Sequence, residues 1–477
     1  MTGFPHASPR KPSYARSPGS GRPMPRMPLA ALTARARQRL GATGQGAAAI
    51  IMATAAAQGL AFLGYPIVAR LYTPHDFGTL ATVTAWSMLL MPVMAIRADV
   101  IVPLPASDDT SRRIVRMGVR AVLVNTLLVA AAFTGLYLTG HDFDLEVWIF
   151  SIPMVSALLA LFQLANAWAI RRRRYSTIAG RNVIQALVTL VTQTAFGIVA
   201  ASAFGLIAGL VLALVVSTLF LAVANKSQPS DGPTDASEAA APNRPDDLSA
   251  PVVTGATARS DDVRAYVNQA PALSLAGLLN AAGLYAPPLL ITTFFGLADA
   301  GQFGLAQRVV AIPVALLGQA TAQVYLGWLS ENKRSGQFGA LRALTKATRL
   351  LLLAAVPMGL IVLVASPSAF PLLFGERWGV AGSMAAALSI NLAAQLVAAP
   401  VSQTLIVLGH ARLQLAWDAG RFTLVVGSLL ACVHFEVGVV ATVWTFSLAS
   451  AVAYVLSWGL SRWAAVVEHR SAPVPQP

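Results

Sequence analysis

Long apolar stretches alternate with short polar ones along nearly the whole chain. Twelve stretches approach the roughly 20 apolar residues that a helix needs to cross a bilayer. They are 47–68, 79–96, 121–138, 147–170, 183–201 and 205–224, then 271–295, 303–326, 350–365, 381–408, 413–433 and 437–458. The pattern predicts an all-α polytopic membrane protein of about twelve transmembrane helices. The ninth stretch is short and the tenth long, so the expected number stands within one of twelve.

The stretches divide six and six around residues 225–270, which are rich in Ser, Pro, Asp, Ala and Thr and have too few large apolar residues for a core. The expected organisation is a basic disordered cytoplasmic tail (1–45), a six-helix bundle (46–224), a disordered cytoplasmic linker (225–270), a second six-helix bundle (271–465) and a short cytoplasmic tail (466–477). A weak internal echo agrees. Asp76-Phe77-Gly78 follows the first span and Gln302-Phe303-Gly304 the seventh, each Phe-Gly pair opening the next helix. An even number of spans in each half makes both halves enter the membrane from the same side, with a symmetry axis along the membrane normal.

Charge adds an orientation. With the N-terminus inside, 30 of the 34 Lys and Arg fall in cytoplasmic segments, as the positive-inside rule requires. The opposite loops hold only Arg70 and Arg377, and Arg308 and Arg421 lie within spans. Both termini are therefore expected in the cytoplasm of a bacterial inner membrane. Trp148, Trp168, Trp328, Trp417 and Trp458 lie at or near span ends, where interfacial indoles sit. The first 45 residues carry eight basic residues and no acid, too long a charged region for a signal peptide.

Composition excludes several function classes. The chain is 56% hydrophobic and 11% charged, against about 45–50% and 25% in a soluble protein. Its net charge of +14 is spread between apolar runs, which is no nucleic-acid footprint. One cysteine, Cys432, permits neither an intramolecular disulfide nor a multi-cysteine metal cluster. No P-loop motif occurs, the six His are scattered, and each outer loop is shorter than about 16 residues, leaving no room for a catalytic domain. No enzyme activity, cofactor or metal is expected.

Charges inside spans are costly and are candidates for function. Arg308 lies in the eighth span, and Gln319 and Gln323 fall within about 60° of it on the helix. Asp418 and Arg421, three apart near the inner end of the eleventh span, read either as a pair on one face or as snorkelling residues. Arg181, Gln185, Thr189 and Gln193 form a four-residue-spaced stripe on the fifth span, and Asn391, Gln395 and Ser402 share a face of the tenth. Each stripe reads as a cavity lining or as interhelical hydrogen-bonding glue. Arg97 and Asp99 close the second span. Arginines around a polar cavity would suit a diphosphate, because guanidinium binds phosphate oxygens bidentately and keeps its charge when desolvated. Residues 331–349 mix five basic residues with Phe338, Leu341 and Leu344, and read as an amphipathic surface helix or an ordinary basic loop.

Several segments resemble a known family. These are Leu71-Tyr72-Thr73-Pro74-His75-Asp76-Phe77-Gly78, Ile96-Arg97-Ala98-Asp99, Asn166-Ala167-Trp168-Ala169-Ile170-Arg171 with Tyr175, Gly301-Gln302-Phe303-Gly304-Leu305-Ala306-Gln307-Arg308, Leu373-Phe374-Gly375-Glu376-Arg377-Trp378 and Pro400-Val401-Ser402. In order and placement they resemble the polysaccharide biosynthesis branch of the multidrug/oligosaccharidyl-lipid/polysaccharide (MOP) flippases, the Wzx-like transporters, over roughly residues 45–465. The Arg-x-Glu usual in that family after the second span is Arg97-Ala98-Asp99 here. The resemblance implies two six-helix bundles around a basic cavity that opens alternately to either face. It also implies a polyprenyl-diphosphate-linked oligosaccharide as substrate, its tail among the membrane lipids, with polysaccharide assembly proteins as possible partners and H+ or Na+ as a possible coupling cation. A drug or cation exporter of the same superfamily would line its cavity with acids, whereas Asp418 is the one acid within a span. A membrane glycosyltransferase or polymerase is disfavoured by the short outer loops. A structural partner in an assembly complex stays open.

Overall fold

The computed structural model describes residues 42–105, 107–140, 143–226, 263, 268–318, 321–322, 325, 328–329 and 339–470. Its long helices are α1 (Ala42–Leu71), α2 (Pro74–Met94), α3 (Asp108–Leu138), α4 (Ser151–Arg171), α5 (Tyr175–Val199), α6 (Ala203–Lys226), α7 (Ala270–Pro313), α8 (Ala340–Phe374), α9 (Gly379–Ala398), α10 (Ala411–His434) and α11 (Val439–Arg470). In hydrocarbon every backbone N–H and C=O must be satisfied within its own segment, which is why uninterrupted apolar sequence becomes helix. The tail 1–45 and nearly all of the linker 225–270 lie outside the described residues. The described residues from 48 to 470 form one compact unit; of residues 1–47 only 42–47 are described, as the start of α1.

Eleven helical segments among the described residues are long and apolar enough to cross a membrane. The longest, Ala270–Gly318, takes up both the seventh and the eighth expected spans. It is two helices, because Gly296 inside it has φ 86° and ψ 172°, a conformation essentially confined to glycine. The expected twelve crossings are therefore accommodated.

Polar signals set the helix ends. Thr73 caps α2 by accepting from the Asp76 amide at 3.2 Å, while Asp76 Oδ2 accepts from the Thr73 amide at 3.0 Å and Pro74 opens the first turn. This is a capping box reinforced by proline, written in the motif Thr73-Pro74-His75-Asp76. Ser107 caps α3 by accepting from the Asp109 and Thr110 amides, so that helix begins at Asp108 and not near residue 121. Pro400 ends α9: a 3-10 turn (Ala399–Val401) and a short helix (Gln403–Val407) follow, and Ser402 donates to Ala399 O within that turn instead of continuing the Asn391 face. No glycine or proline separates residues 340–349 from the ninth apolar stretch, so this part of the expected surface segment is the first third of α8. Residues 331–338 lie outside the described set. α11 continues to Arg470, past the bundle boundary set at 465.

The most extensive helix packing is that of α2 against α7. It joins elements on either side of the linker. Phe77, Leu80, Leu297, Phe303, Trp378 and Met384 share one buried cluster there. Many large apolar residues elsewhere, such as Leu127, Leu138 and Ile198, are more than 70% exposed, as lipid-facing positions are.

Candidate functional site

Three of the motif segments meet at one end of the α2–α7 junction. Helices come closest where no side chain intervenes. A Cβ on Gly78 would lie 1.8 Å from Leu297 O, and one on Gly301 would lie 1.8 Å from Pro74 O, so two glycines let the backbones touch. Gly304 packs on Ala81 one turn deeper. The Thr292 hydroxyl donates to Pro288 O, so Thr82 is the donor in their 2.7 Å contact.

The two arginines of the opposite loops are spent on this junction. Arg70 at the end of α1 donates to Leu373 O (3.1 Å) and Leu372 O (2.8 Å) in the last turn of α8. Arg377 donates back to Arg70 O (3.2 Å) and Tyr72 O (3.4 Å). The last carbonyls of a helix lack intrahelical partners and carry the negative end of its dipole. Each arginine therefore caps a helix from the other side of the chain. Trp378 Nε1 donates to Ala69 O at 2.9 Å, and its ring meets Phe77 edge-on at 5.0 Å. Gln302 donates to Arg377 O (2.7 Å) and accepts from the Ala381 amide (2.9 Å). Trp378, Tyr72 and Phe303 head the largest fully buried side chains among the described residues. The sequence reading missed this seam, although Tyr72, Gly78, Gly301, Gln302, Arg377 and Trp378 lie in the segments that carry the family resemblance.

Away from the seam, guanidinium groups collect around α7. Arg97 follows Ile96, and both have positive φ (52° and 50°), a strained turn for a β-branched residue and its neighbour. The turn buries Arg97 to 5% exposure, puts its Nη1 4.0 Å from Asp99, and sets its side chain against Gly277 of α7. Arg421 of α10 is 8% exposed and lies against Gly283, six residues further along α7 and on another side of it. The anticipated Asp418–Arg421 ion pair does not form within 4.0 Å. Arg421 instead lies 5.1 Å over the Trp417 ring and donates to the Tyr454 hydroxyl at 3.4 Å, leaving its Nε without a hydrogen bond. Half-buried Asp418 accepts from Gln414 at 3.3 Å. The packing reason is that the aromatic shelf of Trp417 and Tyr454 draws the planar guanidinium toward α11.

Arg308 is half-buried, and no described residue gives it a hydrogen bond, ion pair or ring contact. It lies four residues beyond Gly304 and seven beyond Gly301, which puts it on the α2-facing side of α7, roughly 6–10 Å inward of the seam. Gln319 and Gln323, its expected companions, fall outside the described residues. On α5, buried Arg181 lies 4.6 Å over the Phe162 ring of α4, and Gln193 donates to Leu206 O of α6 at 3.0 Å. Both ends of that stripe serve as interhelical ties, and Gln185 between them is half-buried. Asn391 has a buried Oδ1 without a hydrogen-bond partner, and Gln395 one turn on is half-buried. Cys432 is buried and free.

Comparison with known proteins places this architecture. Residues 254–382 match the family described as polysaccharide biosynthesis protein. Teichuronic acid biosynthesis protein TuaB of Bacillus subtilis (strain 168) is 29% identical over 188 residues, 39% of this chain and 37% of that protein. The match thus spans little more than a third of the relative's length. A multidrug resistance MATE family transporter of the MOP superfamily, in an inward-facing conformation, superposes with a TM-score of 0.59 at 14% identity, over 87% of this chain and 96% of its own. Lipid II flippase MurJ, inward closed, superposes with a TM-score of 0.61 at 10% identity, over 88% and 90%. At such identities the likeness is one of fold. The chain is a multi-pass membrane protein whose described residues are helical and share the fold of MOP-superfamily transporters, and part of its sequence is similar to polysaccharide biosynthesis proteins.

Proposed function

We propose that this protein is an inner-membrane flippase that moves polyprenyl-diphosphate-linked oligosaccharide units by alternating access, for polysaccharide or lipopolysaccharide biosynthesis. The observation that carries the reading is the set of arginines packed along α7. Arg97 and Arg421 are buried against two sides of α7, and Arg308 is half-buried on its α2-facing side. An ion in hydrocarbon costs about 2.5–3.5 kcal/mol even on the most lenient scale. Three arginines along the two helices of α7, one of them beside Asp99, suit an anionic ligand, and a diphosphate matches their bidentate geometry. A drug or cation exporter would call for the opposite sign. In this reading Gln185, Asn391 and Gln395 supply neutral hydrogen bonds to sugar, and the two six-helix bundles rock about the α2–α7 contact. The positive-inside tally puts the Arg70–Arg377 seam at the outer face, as the closed gate.

The direct test is transport of a defined lipid-diphosphate oligosaccharide in proteoliposomes, with proton and sodium gradients imposed separately. Translocation that requires the diphosphate headgroup is expected; no translocation under either gradient, with the protein folded, overturns the reading. The orientation has its own check. Reporter fusions at residues 240 and 470 are expected to behave as cytoplasmic at both points, and activity of a periplasm-only reporter at either would reverse the topology.

A further inference from the structure

α8 has 35 residues, about 52 Å at 1.5 Å per residue, against a hydrocarbon thickness of about 30 Å. One end must therefore project into the headgroup region or beyond. The basic residues settle which: α8 contains no acid, and its cations Arg342, Lys346 and Arg349 are all in its first ten residues. Spacings of four and three put them on one face, and all three are exposed. An open pocket of about 420 Å³ runs along them, with Leu341 and Thr345 completing its lining.

The same face continues into the bilayer. Leu353, Val356, Leu360 and Val364 follow at 11, 14, 18 and 22 residues from Arg342, within about 40° of it, and are 76%, 50%, 55% and 76% exposed. Leu344, Leu351 and Ala355 on the far side of the helix are buried, in the packing of α8 on α9 and α11. The cationic pocket thus lies on the exposed face of α8, opposite its packing on α9 and α11.

We propose that this face binds an anionic diacyl phospholipid of the cytoplasmic leaflet, its phosphate held by Arg342, Lys346 and Arg349 and an acyl chain lying along Leu353 to Val364. Charge complementarity and the unbroken run from cations to exposed apolar side chains favour a lipid over a free anion. The outward aspect favours the abundant phospholipid over the transported molecule. The inference rests on the topology proposed above for the leaflet, but its test reads lipid binding and is independent of transport.

The experiment is native mass spectrometry and thermal-shift titration of the full chain with phosphatidylglycerol. Phosphatidylcholine serves as the zwitterionic arm, inorganic pyrophosphate as the free-anion arm, and a polyprenyl diphosphate as the competitor. The variant Arg342→Gln/Lys346→Gln/Arg349→Gln is set against Arg112→Gln/Arg113→Gln/Arg116→Gln, which removes as much exposed charge from α3. Binding of phosphatidylglycerol is expected to weaken on the order of a hundredfold in the first variant and little in the second. Equal loss in both variants, equal binding of phosphatidylcholine, or displacement by pyrophosphate alone would overturn the site. Preferential displacement by the polyprenyl diphosphate would reassign it to substrate docking.

Discussion

Replacing Arg308 by alanine is expected to abolish transport while leaving the protein at its normal level in the membrane. The guanidinium is half-buried, has no described partner, and lies on the side of α7 that faces α2. Its removal therefore relieves a cost to folding and, in the proposed function, takes away a ligand contact. A hydrogen bond to a charged group contributes about 1.5–3 kcal/mol, so the substrate-stimulated rate should fall by at least about tenfold to a hundredfold. Arg308→Lys keeps the charge but gives up the planar fork, and should retain part of the rate. Proteoliposome flux, normalised to reconstituted protein, decides between this and a residue that merely snorkels. Unchanged flux in Arg308→Ala would remove Arg308 from the cavity.

The second large effect is expected at Gly78 and Gly301. An alanine methyl at either would overlap a backbone carbonyl of the opposing helix, Leu297 O or Pro74 O, at 1.8 Å. Backbone cannot rotate aside as a side chain can, so α2 and α7 must separate. The parting would also loosen the Thr82–Thr292 contact and the arginine caps of α1 and α8. Transport should be lost in Gly78→Ala and in Gly301→Ala, and a cysteine placed at buried Thr292 should become accessible to a thiol reagent added from outside. Gly459→Ala is the control, since nothing lies within 4 Å of a Cβ there, and it should be neutral or gain helix stability of up to about 1 kcal/mol. Full activity and an unlabelled Thr292→Cys in the Gly78 and Gly301 variants would show that the seam takes up the methyl without opening.

The chain by itself determined that it crosses a membrane, about how many times, and which loops carry its positive charge. Apolar length, loop composition and the Lys and Arg positions are local quantities that need no knowledge of neighbours. Some helix boundaries were equally local, as the Thr73–Asp76 capping box at the start of α2 and the Pro400 break at the end of α9 attest. Which faces meet was decided only by the tertiary structure. In a soluble helix the buried stripe stands out against a polar one, but here lipid-facing and core-facing positions are alike apolar. Leu127 at 72% exposure and Leu206 at 0% are the same residue type, and no periodicity separates them. The partners of Arg70 and Arg377 lie more than 300 positions away, so as isolated loop cations they gave no sign of capping each other's helices. Asp418 and Arg421 looked like a pair by spacing, yet Trp417 and Tyr454 held the guanidinium instead. Spacing reports only where a side chain starts on its helix, whereas its partner depends on which neighbouring helix comes close enough to offer a surface.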